Sequence, residues 1–226
     1  MKRWSAMAKT FTRIGKDIVM AVKEGGPNPE TNSRLRAVIQ NAKAANMPKD
    51  NVARAIKKAT DKDTANYKET LFEGYAPHGI AVVVETATDN NNRTVANVRA
   101  AFNKCDGNLG TSGSVVFMFD HVCNFRISEE SLKMDLEEFE LEMIEFEVEE
   151  VFKDEDGILI YAPFEQNGSI QKYLEDNNIE ILSSEFERIP TTTTKLTEEQ
   201  KADVDKLLEK LEEDDDVNNV YHSLEM

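Results

Sequence analysis

From Lys9 to Lys58, lysines and arginines recur at helical spacing, a pattern suited to holding a polyanion. Wound at about 100° per residue, Lys9, Arg13, Lys16 and Lys23 fall within a sector of about 80°. Arg36 and Lys43 share a flank of a second helical stretch, and Lys49, Arg54, Lys57 and Lys58 mark a third. Several such cations neutralise phosphates together and gain affinity from released counterions. The ordinary alternative for any one of these helices is a solvated polar face. A second candidate is the polar run Asp89, Asn90, Asn91, Asn92 and Arg93, with Asn97 and Arg99 just beyond. A strand end, an amide-rich loop and a helix N-terminus suit phosphate, a nucleotide edge or a peptide backbone. Asn and Asp in such a loop equally serve to cap the first helical turn.

Other chemistries find less support. Asn108 to Ser114 is glycine-rich but contains neither a phosphate-loop nor a dinucleotide fingerprint, so a tight β connection is the expected meaning. His78, His121 and His222 are far apart, no Ser or Cys has a nucleophile motif around it, and the carboxylates sit in solvated helical runs. Asp214 to Asp216 lack the loop pattern of a calcium site. Neither catalysis nor a metal, cofactor or small-molecule substrate is expected.

The elements that position these residues follow from apolar periodicity. Phe11, Ile14, Ile18 and Val22 form one stripe of a helix over 10–24, closed by Gly25-Gly26-Pro27. Helices follow over 33–45, with Leu35, Val38, Ile39 and Ala42 inward, and from Pro48 to about 59, with Val52, Ala55, Ile56 and Ala59 inward. Residues 60–68 read as a linker. Strands are expected over 70–76, 80–88, 115–119 and 122–127, the last two separated by Asp120-His121, with a helix over 94–105. Beyond them lie an acidic helical stretch (128–150), a hairpin turning at Asp154 to Gly157, a helix over 165–177 and a strand over 179–189. A threonine run then leads to a closing helix (198–213) and strand (217–224).

That closing pair has no partner of its own, and the strands of 69–127 lack a second covering helix. Returning one to the other predicts an α+β fold: an N-terminal three-helix domain (1–68) plus two ferredoxin-like α+β domains. The middle one is discontinuous (69–127 with 191–226), and 128–190 is inserted into it. The 226 residues, 40% hydrophobic and 31% charged, are globular in composition. Apolar runs reach only five residues, as in Ile80 to Val84, against the roughly 20 a membrane helix needs. The N-terminus shows no apolar signal region, and Cys105 and Cys123 are too few for a disulfide framework, so a cytoplasmic protein is expected. Charge is split: residues 1–68 carry fifteen Lys/Arg against six Asp/Glu, whereas the remainder carries twelve against thirty-seven. Such asymmetry points to a polyanion partner for the basic part.

The stretch FTRIGKDIVMAVKEGGPNPETNSRLRAVIQNAKAANMPKDNVARAIKKA resembles the N-terminal domain of the YebC/PmpR family. The family includes the mitochondrial translational activator of cytochrome c oxidase subunit I. The resemblance continues through FEGYAPHGIAVVVETATDNNNRTVANVRAAFNKCDGNLGTSGSVVFMF and DDDVNNVYHSLE. It implies three domains, no enzymatic activity, and DNA binding in transcriptional regulation, or ribosome association and relief of stalling in translation. Two features depart from the family pattern. A Gly-His-Ser-Lys-Trp-like start is represented only by Lys2-Arg3-Trp4-Ser5, and a Gly-Pro-Gly-Gly turn appears as Ala76-Pro77-His78-Gly79. The residues themselves show no base-reading helix motif, which favours structured RNA. An acidic protein-interaction scaffold is the third reading. The expected partner is DNA or ribosomal RNA, with no membrane.

Overall fold

Lys68–Ala76 (β1) and Ile80–Thr88 (β2) pair antiparallel through nine residues, from Lys68↔Thr88 to Ala76↔Ile80. They found the first of two sheets in the computed structural model, which describes residues 2–226, with side chains from Trp4 onward. The helices are α1 (Lys2–Gly25), α2 (Ser33–Ala44), α3 (Lys49–Ala59), α4 (Asn91–Lys104), α5 (Leu136–Met143), α6 (Asn167–Asp176) and α7 (Glu198–Glu212). The remaining strands are β3 (Asn108–Leu109), β4 (Phe119–Ile127), β5 (Glu150–Asp154), β6 (Gly157–Pro163), β7 (Ile181–Pro190) and β8 (Val217–His222). The fold is α+β, in two compact units built from discontinuous segments.

The first unit comprises Met1–Lys16, Asp63–Asp120 and Ile189–Met226. Its sheet has the order β3-β1-β2-β8, so the closing strand returns to β2. On one face Ile80, Val82 and Val84 meet Val98 and Phe102 of α4 and Val204, Leu207 and Leu211 of α7. On the other, Ala81 and Val83 meet Val115 and Phe119. Coverage of both faces explains why β2 reads as an unbroken apolar run rather than an alternating one. At the β1–β2 turn His78 takes φ 65°, ψ 22°, a left-handed conformation that favours glycine, and its Nε2 lies 3.0 Å from Asp203 Oδ2. The glycine-rich segment is organised from below by Glu73, which is 3% exposed. Its carboxylate accepts hydrogen bonds from the N–H groups of Gly113 (2.6 Å), Val115 (3.0 Å) and Val116 (2.6 Å). Amides that would cradle an external anion in a phosphate loop are here satisfied internally.

The second unit comprises Asp17–Lys62 and His121–Arg188. Its strand order, β5-β6-β4-β7, with α5 and α6 as crossovers, is that of a ferredoxin-like split βαβ sandwich. Phe125, Ile127, Ile158 and Ile160 pack with Phe139 and Met143 of α5 and with Ile170 and Leu174 of α6. The hairpin turns at Glu155-Asp156; Gly157, at φ 131°, has no room for a Cβ, which would lie 2.4 Å from Ile127 O. Helix α2 is tied by polar contacts to the end of α1 and to the sandwich. Asn32, buried, caps α2 at Leu35 N–H (3.0 Å) and donates to Ala21 O (2.8 Å) and Gly26 O (2.9 Å). Asn41 of α2 pairs with the backbone of Ser184 in β7, accepting its N–H (2.8 Å) and donating to its carbonyl (2.7 Å).

Several elements differ from the sequence expectation. Helix α1 starts eight residues before Thr10, because Ser5 to Lys9 contain good helix formers and no breaker. Residues 119–127 form one strand, with Asp120-His121 inside it, and β4 pairs with β6 and lies beside β7 rather than joining β1 and β2. The expected strand over 115–119 is instead a loop and a single 3₁₀ turn at Val116–Met118, since Glu73 takes the amides a ladder would use. The acidic stretch 128–150 holds one α-helix, the eight-residue α5 capped by Asp135, with 3₁₀ turns at Glu129–Ser131 and Ile144–Phe146, the latter ended by Glu147 at φ 56°.

Glu73→Ala leaves three inward amides without an acceptor, at about 1–3 kcal/mol for each buried group left unsatisfied. We expect the urea midpoint of the first unit to fall, with the far-ultraviolet circular dichroism of the folded state retained.

Candidate nucleic-acid interface

The ten basic side chains divide into two sets. Lys9, Arg13 and Lys16 lie on α1 within the first unit and turn toward its interior. Lys16 is 6% exposed, and its ammonium donates to Ala87 O (3.1 Å) and Asp215 O (2.6 Å). Arg13 donates to Asn219 Oδ1 at 3.0 Å. The Lys9 ammonium is buried without a hydrogen-bond acceptor among the described residues. Burial pushes its pKa down, against the pull of Glu212, Asp215, Asp214 and Glu213. The face that helical phasing marks as solvent-facing is thus the one that meets the acidic C-terminal turn. Arg36 is also engaged: it forms a two-pronged pair with Glu175 (Nε–Oε1 3.0 Å, Nη2–Oε2 2.9 Å) and donates to Pro29 O (2.9 Å). Burial works to raise the Glu175 pKa, but hydrogen bonds from Arg36 and Gln171 outweigh it and lower the pKa.

Lys23, Lys43, Lys49, Arg54, Lys57 and Lys58 are exposed, all in the second unit. Four of them stand on α3, whose inward side is Val52, Ala55, Ile56 and Ala59. The polar half of that helix carries Lys49, Lys57, Arg54 and Lys58 in rotational order, across about 180°. Arg54 is oriented along the helix by Asn51 Oδ1 and by Asp50 O (3.3 Å). Lys43 is only loosely paired, 3.9 Å from Glu180. Lys62, just past α3, is exposed as well and was not picked out by sequence, since it falls outside any periodic segment. The side chains of Lys2 and Arg3 lie outside the described set.

The Asp89–Arg99 segment is mostly turned on itself. Asn90 caps α4, accepting from Arg93 N–H at 3.1 Å. Arg93 grips Asp216 through Nε (3.0 Å) and Nη2 (2.8 Å) and reaches Asp89 at 3.0 Å. Thr94 adds a hydroxyl to Asp216 (2.9 Å), and Asn97 donates to Asp214 (2.9 Å). Asn91 accepts from Thr70 at 3.4 Å, which leaves Asn92 and Arg99 as exposed members with no such internal role shown. Asp214 and Asp216 direct their oxygens at these internal donors, the arrangement of a structural clamp rather than of a cation loop. For Asp216, burial pushes the pKa up, yet hydrogen bonds from Arg93 and Thr94 and the charges of Arg93 and Lys16 prevail and lower it.

A family profile for the TACO1/YebC N-terminal domain matches residues 1–62, and one for the TACO1/YebC second and third domain matches residues 67–224. The chain belongs to the TACO1/YebC family. A Flavobacterium johnsoniae relative, named a "probable transcriptional regulatory protein", is 75% identical over 224 residues, covering 99% of this chain and 94% of the relative. A Parabacteroides distasonis relative of the same name is 57% identical over 223 residues, covering 99% and 91%. Among solved structures, a conserved hypothetical protein of Aquifex aeolicus superposes with a TM-score of 0.77 at 38% identity, covering 96% of this chain and 90% of that one. No helix among the described residues is long and apolar enough to cross a membrane.

The Asp216 clamp generates an acid-stability prediction. Its folded pKa lies below the roughly 3.9 of an unfolded Asp, so its stabilisation is complete above that value and is lost as pH falls through the lowered folded value. Asp216→Asn should cost about 1–3 kcal/mol at neutral pH. Urea titrations at several pH values should show a smaller loss of stability below about pH 4 in the variant than in the unsubstituted protein.

Proposed function

We propose that this chain is a non-enzymatic regulator of gene expression that grips nucleic-acid backbone with the exposed cations of α3, assisted by Lys43 and Lys23. The supporting observation is the placement of Lys49, Arg54, Lys57 and Lys58 on one exposed helix face, in a chain whose residues beyond 68 are strongly acidic. Long cations on a helix face contact phosphates without reading bases. The names of the relatives favour transcription; on this reading the target is DNA and the place of action the cytoplasm.

A second reading is favoured by the composition of α3 itself. Its exposed half offers lysines and one arginine, and its one amide, Asn51, is hydrogen-bonded to Arg54. A surface that reads phosphate geometry rather than base edges suits structured RNA, including that of the ribosome. Asn92 and Arg99 would serve in either case as minor contacts at a second surface.

Arg54→Ala, Lys57→Ala and Lys58→Ala should each weaken binding of a duplex by a similar factor whatever its sequence. Each lost phosphate contact lowers the slope of log K against log salt by about 0.9 for duplex DNA. Filter binding across a salt series measures this, with duplex DNA and a structured ribosomal RNA fragment compared side by side. Lys16→Met and Arg36→Met should act on stability and leave that slope unchanged. Equal slopes for unsubstituted protein and the α3 variants would overturn the proposal.

A further inference from the structure

The second unit carries a further surface, built from residues other than the α3 cations. In its sheet the side chains of Phe125, Ile127, Ile158 and Ile160 point at α5 and α6. Strand alternation sends Glu150, Phe152 and Asp154 of β5, Leu159 and Tyr161 of β6, and Asn124 and Arg126 of β4 to the opposite face. There Phe152 and Tyr161 stack with ring centroids 6.3 Å apart and planes 19° apart, and Phe152 is 37% exposed. Around the pair the charge is negative. Glu150 sits directly across from Tyr161 in the ladder, and Asn124 brings Glu187 to the same face through a 2.6 Å hydrogen bond. The one cation in this group, Arg126, is already held by Asp154 at 2.6 Å. Lys153 alternates to the other side and pairs with Glu129.

Two consequences of this crowding are visible in the titrating groups. Burial pushes up the Tyr161 hydroxyl pKa, and the nearby charges of Glu187, Glu150 and Glu185 add to the effect. Burial likewise raises the Glu187 carboxyl pKa, and Glu185 adds to it. Burial is the larger cause of both shifts, and neighbouring carboxylates add to each. β5 is also the outermost strand of its sheet, so an extended chain has backbone groups to lie against.

We propose that this outer face of β5 and β6 docks an arginine-rich segment of a partner protein. Guanidinium planes stack on the Phe152–Tyr161 rings, and Glu150 and Glu187 receive their N–H groups. Arginine fits better than lysine, because its flat fork stacks and pairs at once. The site is separate from the α3 cations and does not depend on the nucleic-acid reading.

The test is fluorescence anisotropy of a labelled oligo-arginine peptide, with an oligo-lysine of equal length as comparison, against the full chain at about 0.15 M ionic strength. We expect arginine to be preferred, Phe152→Ala to weaken binding about three- to fivefold, and Glu150→Lys to weaken it about tenfold. Glu187→Gln serves as a second carboxylate variant should Glu150→Lys unfold. Glu140→Lys on α5 makes the same change in net charge away from the face and should shift binding less than about twofold. Equal weakening by Glu140→Lys and Glu150→Lys would overturn the proposal in favour of diffuse acidity, as would wild-type binding by Phe152→Ala. Concentration-dependent sedimentation abolished by Phe152→Ala would overturn it in favour of an interface between copies of this chain.

Discussion

The first unit depends on how one acidic turn is kept in place. Asp216 is 7% exposed, and a carboxylate so far out of water is tolerable only with its oxygens satisfied. Arg93 supplies two hydrogen bonds and Thr94 a third, while the backbone carbonyl of Asp216 accepts from Ala87 N–H at 2.9 Å. Lys16 then binds the carbonyls of Asp215 and Ala87. Segments separated by more than 120 residues, the start of α4 and the end of α7, are thereby held beside β2. That junction adds polar restraints at the end of the β2–β8 ladder, beside the apolar packing that holds α7 over the sheet.

The same junction decides which cations remain available. Lys16 is held at the carbonyl of Asp215 in the acidic turn, Arg13 at Asn219 of β8, and the Lys9 ammonium is buried beside the turn's carboxylates, so these three cations are turned inward. Arg36 is drawn in similarly by Glu175 in the second unit. What remains exposed is the set on α3, with Lys43 on α2 and Lys23 on α1. A patch of four to six cations suffices for salt-dependent phosphate binding but carries little sequence information, which is why shape or a second contact must supply selectivity. Aromatic and carboxylate groups on the β5–β6 face have the opposite preference, so one protein can present separate surfaces to a polyanion and to a basic chain.

Much of this was legible in the sequence, for identifiable reasons. The stripes Ile14/Ile18/Val22 and Val204/Leu207/Leu211 repeat at helical spacing, and the unpartnered closing helix and strand implied a return to the β1–β2 sheet, where β8 is found. The polar half of α3 is readable because its cations stay exposed opposite the apolar side of their own helix. Lys16 and Lys57 look alike in one dimension, each a lysine opposite an apolar stripe. Only the long-range approach of Asp215 and Ala87 separates them. Glu73 was hidden for the same reason: its role is visible only when Gly113 and Val115 fold over it. The placement of β4 in the second sheet also turns on hydrogen-bond partners more than thirty residues away, which local periodicity does not encode.

Lysine footprinting tests the division of cations most directly. The protein is acetylated briefly with and without bound duplex DNA or structured RNA, and each lysine is quantified by mass spectrometry. The account predicts that Lys49, Lys57 and Lys58 react readily in the free protein and are protected by nucleic acid, while buried Lys16 reacts slowly in both states. Protection confined to lysines outside α3, with Lys57 and Lys58 reacting equally in both states, would contradict it.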